Sequence, residues 1–209
     1  MSGFLYPVTL DIDGRPCLVV GGGSIAERKV TGLLEAGARV TVVSPALSRG
    51  LLALAGDGRF RWQPREFMAG DTAGFVLVLV ATDDGAVNRA VAVEARQRGA
   101  LVNCADEPAH CDFILPALLR RGPLTVAVST GGASPTMARL VRDELDAVLS
   151  GDYAGLTEVV AEVRRTLRDR GLSLDGERWA GAVDEEVRRL VANGRPEDAR
   201  ERLRERLGG

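Results

Sequence analysis

The chain has 209 residues, 45% of them hydrophobic and 27% charged, with a formal net charge of -2 at pH 7. Near-neutral charge argues against a nucleic-acid surface, and no run of 18 apolar residues is available to span a membrane. Met1 to Tyr6 carries no basic signal-peptide start, so a cytoplasmic protein is expected. Cys17, Cys104 and Cys111 form no Cys-x-x-Cys pair and His110 is the only histidine, so no metal site is predicted.

The first strand is expected over Cys17 to Gly21, an apolar run that ends on Gly21-Gly22-Gly23 and passes into helical periodicity from Ser24 to Ala36. Gly21, Gly23 and Ala26 fit the G-x-G-x-x-G/A spacing, in which absent side chains let a pyrophosphate reach backbone N–H groups at a helix N-terminus. A tight strand-to-helix turn without a ligand is the alternative. The second strand, Arg39 to Ser44, ends on Val43-Ser44-Pro45, where a dinucleotide-binding fold usually carries an acid for the ribose. Neither that acid nor a clamp for a 2′-phosphate is there. NAD and NADP are therefore not distinguished at this position, and Ser44 remains as a ribose contact.

A weaker strand over Arg59 to Gln63, a strong one over Phe75 to Ala81, a helix from Gly85 to Arg98 and a strand over Leu101 to Cys104 complete an alternating pattern. It predicts an α/β, Rossmann-like parallel sheet with crossover helices. Thr82, Asp83 and Asp84 follow one strand and Asp106 follows another, at the carboxyl rim where such sheets bind ligands. Helix capping by Asp83 or Asp84, and turn formation at Asp106, are the competing readings.

Phe113 to Leu119 is an apolar surface with no evident cover, followed by a strand over Leu124 to Ser129 and a glycine turn. Ser134 and Pro135 then start a helix that is expected to reach about Leu149. Ser129 and Thr130 offer hydroxyls to a carboxylate, and Arg139 and Arg142 share one helix face. A well-capped helix with solvated arginines is the alternative. Asp152 to Leu207 reads as a polar, arginine-rich helical tail broken near Gly171, Gly176 and Asn193 to Pro196.

Five segments in register, Leu18 to Lys29, Ala81 to Asn88, Asn103 to Pro108, Phe113 to Pro116 and Val126 to Pro135, resemble the precorrin-2 dehydrogenase / sirohydrochlorin ferrochelatase family, the amino-terminal part of siroheme synthase. The resemblance implies an NAD-binding domain over 1–112, a dimerisation region over 113–150 and a helical domain over 151–209, assembled as a homodimer. It also implies NAD-dependent oxidation of the tetrapyrrole precorrin-2 to sirohydrochlorin and, in some members, ferrous iron insertion. The family aspartate maps onto Asp106 as the catalytic residue. Gly21, Gly23, Ser24, Ile25, Ser44, Pro45, Thr82 and Asp83 are the expected cofactor contacts. The substrate carries eight carboxylates, which turns Ser129, Thr130, Arg139 and Arg142 into expected substrate contacts. A short-chain dehydrogenase is excluded, because Lys29 is the only lysine and no tyrosine stands four residues before it. A non-enzymatic dinucleotide-sensing regulatory domain is the rival reading.

Overall fold

A computed structural model describes residues 5–105, 108–149 and 151–208, in two compact units, Met1–Leu115 and Pro116–Gly209. The first unit contains β1 (Pro16–Val20), α1 (Ser24–Glu35), β2 (Arg39–Val43), α2 (Arg49–Gly56), β3 (Arg61–Gln63), β4 (Leu77–Val80), α3 (Gly85–Gln97) and β5 (Leu101–Cys104). The five strands are parallel in the order β3-β2-β1-β4-β5. The chain steps outward from β1 to β3, then returns to add β4 on the other side of β1. The carboxyl ends of β1 and β4 therefore flank the topological switch point, where this architecture opens a crevice.

Alternate residues of the strands feed two apolar layers, because side chains in a strand point to opposite faces. Cys17, Val19, Val42 and Leu79 pack with α1 and α2, while Leu18, Val20, Val78, Val80 and Val102 pack with α3. Both faces are covered, which is why β1 and β4 are unbroken apolar runs. Cys17 and Cys104 are buried as the apolar context predicts. Burial pushes the Cys17 thiol up to about 11, against the opposing pull of Arg15, so Cys17 is an inert core residue.

The second unit begins with β6 (Ala117–Arg121) and β7 (Leu124–Val128), an antiparallel hairpin closed by Gly122 and Pro123, and continues with α4 (Pro135–Val148). Four helices follow: α5 (Asp152–Asp169), α6 (Gly176–Ala182), α7 (Glu185–Ala192) and α8 (Pro196–Leu207). The tail is more than a solvated face, since Val159, Val163, Leu167, Val187, Leu203 and Leu207 form a core of their own. Asp184 fastens this cluster. It caps α7 by accepting from the Val187 N–H at 2.9 Å and pairs with Arg202 at 2.8 Å and Arg206 at 3.0 Å.

Candidate functional site

The turn between β1 and α1 is built of glycine for two different reasons. Gly21 has φ of +116°, and a side chain there would lie 2.2 Å from the Ala81 carbonyl oxygen at the end of β4. Gly22 is equally closed, because a Cβ would come within 2.0 Å of the Ala46 carbonyl oxygen and 2.6 Å of Ser44 Oγ. Gly23 is different. A Cβ at Gly23 would meet nothing within 4 Å, so nothing among the described residues demands a glycine there. An approaching ligand would.

Helix capping separates α1 from its neighbours. Ser48 caps α2 by accepting from the Leu51 N–H at 3.2 Å, and Asp84 caps α3 by accepting from Ala86 and Val87 N–H at 2.7 and 3.2 Å. The N-cap of α1 is Gly23, and no side chain among the described residues caps it. Its first intrahelical bond runs from the Glu27 N–H to the Gly23 carbonyl at 3.0 Å, so the N–H groups of Ser24, Ile25 and Ala26 precede the helical ladder. The helix dipole adds partial positive charge at that end. Free donors, a positive dipole end and an open glycine together suit an anion such as a pyrophosphate.

Two further loops form the walls of this rim. The Ser48 N–H donates to the Gly22 carbonyl at 2.7 Å, and the Ser48 hydroxyl donates to the Glu27 carboxylate, which ties the start of α2 to the glycine turn. Ser44 is 7% exposed and its hydroxyl donates to the Ala46 carbonyl at 2.7 Å, so a ribose would find it as an acceptor. Pro45 beside it is exposed. At the end of β4, Thr82 donates to Asn88 Oδ1 at 2.6 Å, and Asn88 Nδ2 returns a bond to the Thr82 carbonyl at 3.2 Å. Of the two neighbouring aspartates, Asp84 is the helix cap and Asp83 is exposed on the rim.

Beyond β5, the expected catalytic Asp106 lies outside the described residues. The residues on either side of it in the chain, Ala105 and Pro108 onward, are described. The Ala105 N–H donates to the Val80 carbonyl at 2.9 Å; on the return side the Asp112 N–H donates to the Val102 carbonyl at 2.8 Å, and the Asp112 carboxylate accepts from the Val102 N–H at 2.9 Å. Cys111 Sγ sits 3.2 Å from the Cys104 nitrogen and 3.1 Å from its carbonyl oxygen. Asn103, 7% exposed, accepts from Lys29 Nζ at 2.5 Å and donates from Nδ2 to the Phe113 carbonyl at 2.9 Å.

In the second unit, two of the expected substrate contacts, Ser129 and Thr130, lie at the β7 to α4 turn, and the other two, Arg139 and Arg142, lie along α4. Thr130 Oγ1 donates to the Ser134 carbonyl at 3.1 Å and accepts from its N–H at 2.9 Å, while Ser129 Oγ accepts from the Gly131 N–H at 3.2 Å. Ser134 caps α4 through the Met137 N–H. Arg139 is exposed on that helix, and Arg142 pairs with Asp143 at 2.6 Å.

Residues 8–117 match the family described as "Putative NAD(P)-binding", and residues 121–147 match "Sirohaem biosynthesis protein central". SirC, a precorrin-2 dehydrogenase of known structure, is 30% identical, superposes with a TM-score of 0.78 and aligns over 96% of this chain and 100% of its own. The chain belongs to the precorrin-2 dehydrogenase family. The siroheme synthases of Methylococcus capsulatus and Methylobacillus flagellatus are 41% and 40% identical, across 92% and 97% of this chain. The chain spans less than half of either relative, 41% and 44% of their lengths. Within this family frame, the glycine turn and the rim at β2 and β4 were legible in the sequence. The Glu27 to Ser48 tie and the Lys29 to Asn103 contact were not. The signal for the second was present: Asn103 is a polar residue in the apolar run Leu101-Val102-Asn103-Cys104.

Proposed function

We propose that this chain oxidises precorrin-2 to sirohydrochlorin with NAD as the hydride acceptor. The observation that carries the proposal is the open, uncapped N-terminus of α1 at the switch point, in a chain aligned along the whole of SirC. Gly21 and Gly23 would leave room for the pyrophosphate, and the N–H groups of Ser24 and Ile25 would donate to it. Ser44, Pro45, Thr82 and Asp83 would hold the rest of the dinucleotide. When bound, NAD supplies a two-electron acceptor that takes up hydride.

Oxidation releases one proton for each hydride transferred, and Asp106 is the carboxylate assigned to accept it. Ser129, Thr130, Arg139 and Arg142 are assigned to the carboxylates of the tetrapyrrole, where charge-assisted bonds are strong. The siroheme synthases among the relatives favour ferrous iron insertion as a second activity, in which the same carboxylate would take pyrrole protons. Supplying sirohydrochlorin and ferrous iron tests that step separately.

The assembly proposed is a homodimer of two copies of this chain in the cytoplasm. Met137, Leu140 and Val148, at 49%, 49% and 78% exposure, lie on α4 with spacing that leaves an apolar stripe uncovered, and Leu118 on β6 is also exposed. The cysteines carry no disulfide among the described residues, which fits a reducing compartment. Anaerobic incubation with precorrin-2 and NAD tests the activity. Formation of sirohydrochlorin is the expected result, whereas NAD binding without turnover would leave the dinucleotide-sensing domain as the reading.

A further inference from the structure

Two polar side chains stand where the patterns of their elements call for apolar ones, and they meet. On α1 the residues facing the sheet are Ala26, Val30 and Leu33, all buried, and Lys29 lies in the same stripe. On β5, Val102 and Cys104 point to the α3 layer, so Asn103 points to the α1 layer. Lys29 Nζ reaches Asn103 Oδ1 at 2.5 Å. Asn103 is buried and Lys29 half-buried, and an amide taken from water into a sheet-helix interface loses solvation that its hydrogen bonds must replace.

What the pair connects is more informative. Lys29 belongs to the helix whose N-terminus is open to the dinucleotide, less than two turns from Gly23. Asn103 belongs to the strand that precedes Asp106 in the chain, and its Nδ2 holds the Phe113 carbonyl ten residues further on. One amide thus grips the nucleotide helix through its oxygen and the Phe113 segment through its nitrogen.

We propose that Lys29 and Asn103 form a brace coupling the nucleotide-binding helix to the end of β5 and to the returning segment at Phe113, which makes Lys29 a positioning residue for the oxidation. The inference rests on the proposed function for its catalytic part. Its structural part stands by itself, because the Ala105 and Asp112 amides, both hydrogen-bonded to sheet carbonyls, report the end of β5 and the returning segment directly.

The test uses the full chain, as wild type, Lys29→Met and the double variant Lys29→Met/Asn103→Leu. Hydrogen exchange of the Ala105 and Asp112 amides is followed without and with saturating NAD, with the Val78 and Val80 amides of β4 as the internal reference. In both variants these two amides should exchange at least fivefold faster than in wild type, and slowing by NAD should be lost, while β4 is unchanged. The double variant should melt no lower than wild type, yet turn over precorrin-2 at least tenfold more slowly, with the KM for NAD within threefold. Wild-type exchange at both amides in Lys29→Met, or full turnover in a folded double variant, would overturn the brace. If the wild-type protein itself fails to oxidise precorrin-2, the proposed function fails, and the exchange comparison still decides the brace.

Discussion

At the scale of single residues, Gly21, Gly22 and Gly23 carry different burdens although they are adjacent. A side chain at Gly21 or Gly22 collides with backbone of the neighbouring loops, so Gly21→Ala should destabilise the fold by about 2 kcal/mol or more, read as a lowered unfolding midpoint. Gly23 faces open space, so Gly23→Asp should leave the midpoint within a few degrees. The carboxylate would stand where an anion must approach, and NAD affinity measured by calorimetry should fall by roughly 100-fold. Unchanged NAD affinity in folded Gly23→Asp would remove the turn from the site. Asp106→Asn keeps the shape of the side chain without its basicity, so turnover should drop roughly 100-fold with NAD affinity intact. A loss confined to stability, of about 1 kcal/mol, would make Asp106 a turn former instead.

Among the elements, Asp184 offers the clearest response to pH. Hydrogen bonding from Arg202 first, and from the Val187 N–H next, holds its carboxyl down to about 2. An unfolded aspartate titrates near 3.9, so this contribution is complete above about pH 4 and is lost as pH falls toward 2. Asp184→Asn should destabilise the helical unit at pH 7 by a cap's worth of about 1 kcal/mol, read as a lowered melting point, and flatten the decline of that melting point between pH 4 and pH 2. Parallel melting curves for the two proteins across that window would show that Asp184 is not what acid titrates. Strong local signals made most elements readable: the buried runs of β1, β4 and β5, the Ser134-Pro135 start of α4, and the glycines that end α1 and α3. α2 escaped because it is only eight residues long and buries one of them fully, Leu51, although Ser48 was available as its cap. β6 escaped because Phe113 to Leu119 reads as one apolar surface; its strand character comes from pairing with β7, a tertiary contact that periodicity does not carry.

For the whole molecule, the rim of the sheet was legible because ligand position in this architecture follows from strand order and strand ends. The brace between Lys29 and Asn103 joins residues 74 positions apart, and only the folded sheet, with α1 packed over β1, β2 and β4, brings them together. The uncovered stripe on α4 predicts a dimer at micromolar concentration by light scattering, and Leu140→Asp should shift it toward monomer; a monomeric wild type would contradict the proposed assembly. NAD-dependent oxidation fixes a stoichiometry of one NADH for each sirohydrochlorin formed. Precorrin-2 and NAD are mixed with the wild-type protein without oxygen, and sirohydrochlorin and NADH are followed together by absorbance. The two products should appear in equal amounts, at a rate proportional to protein and abolished when NAD is left out; sirohydrochlorin without NADH, or neither product from a folded protein that binds NAD, would rule out NAD-dependent oxidation.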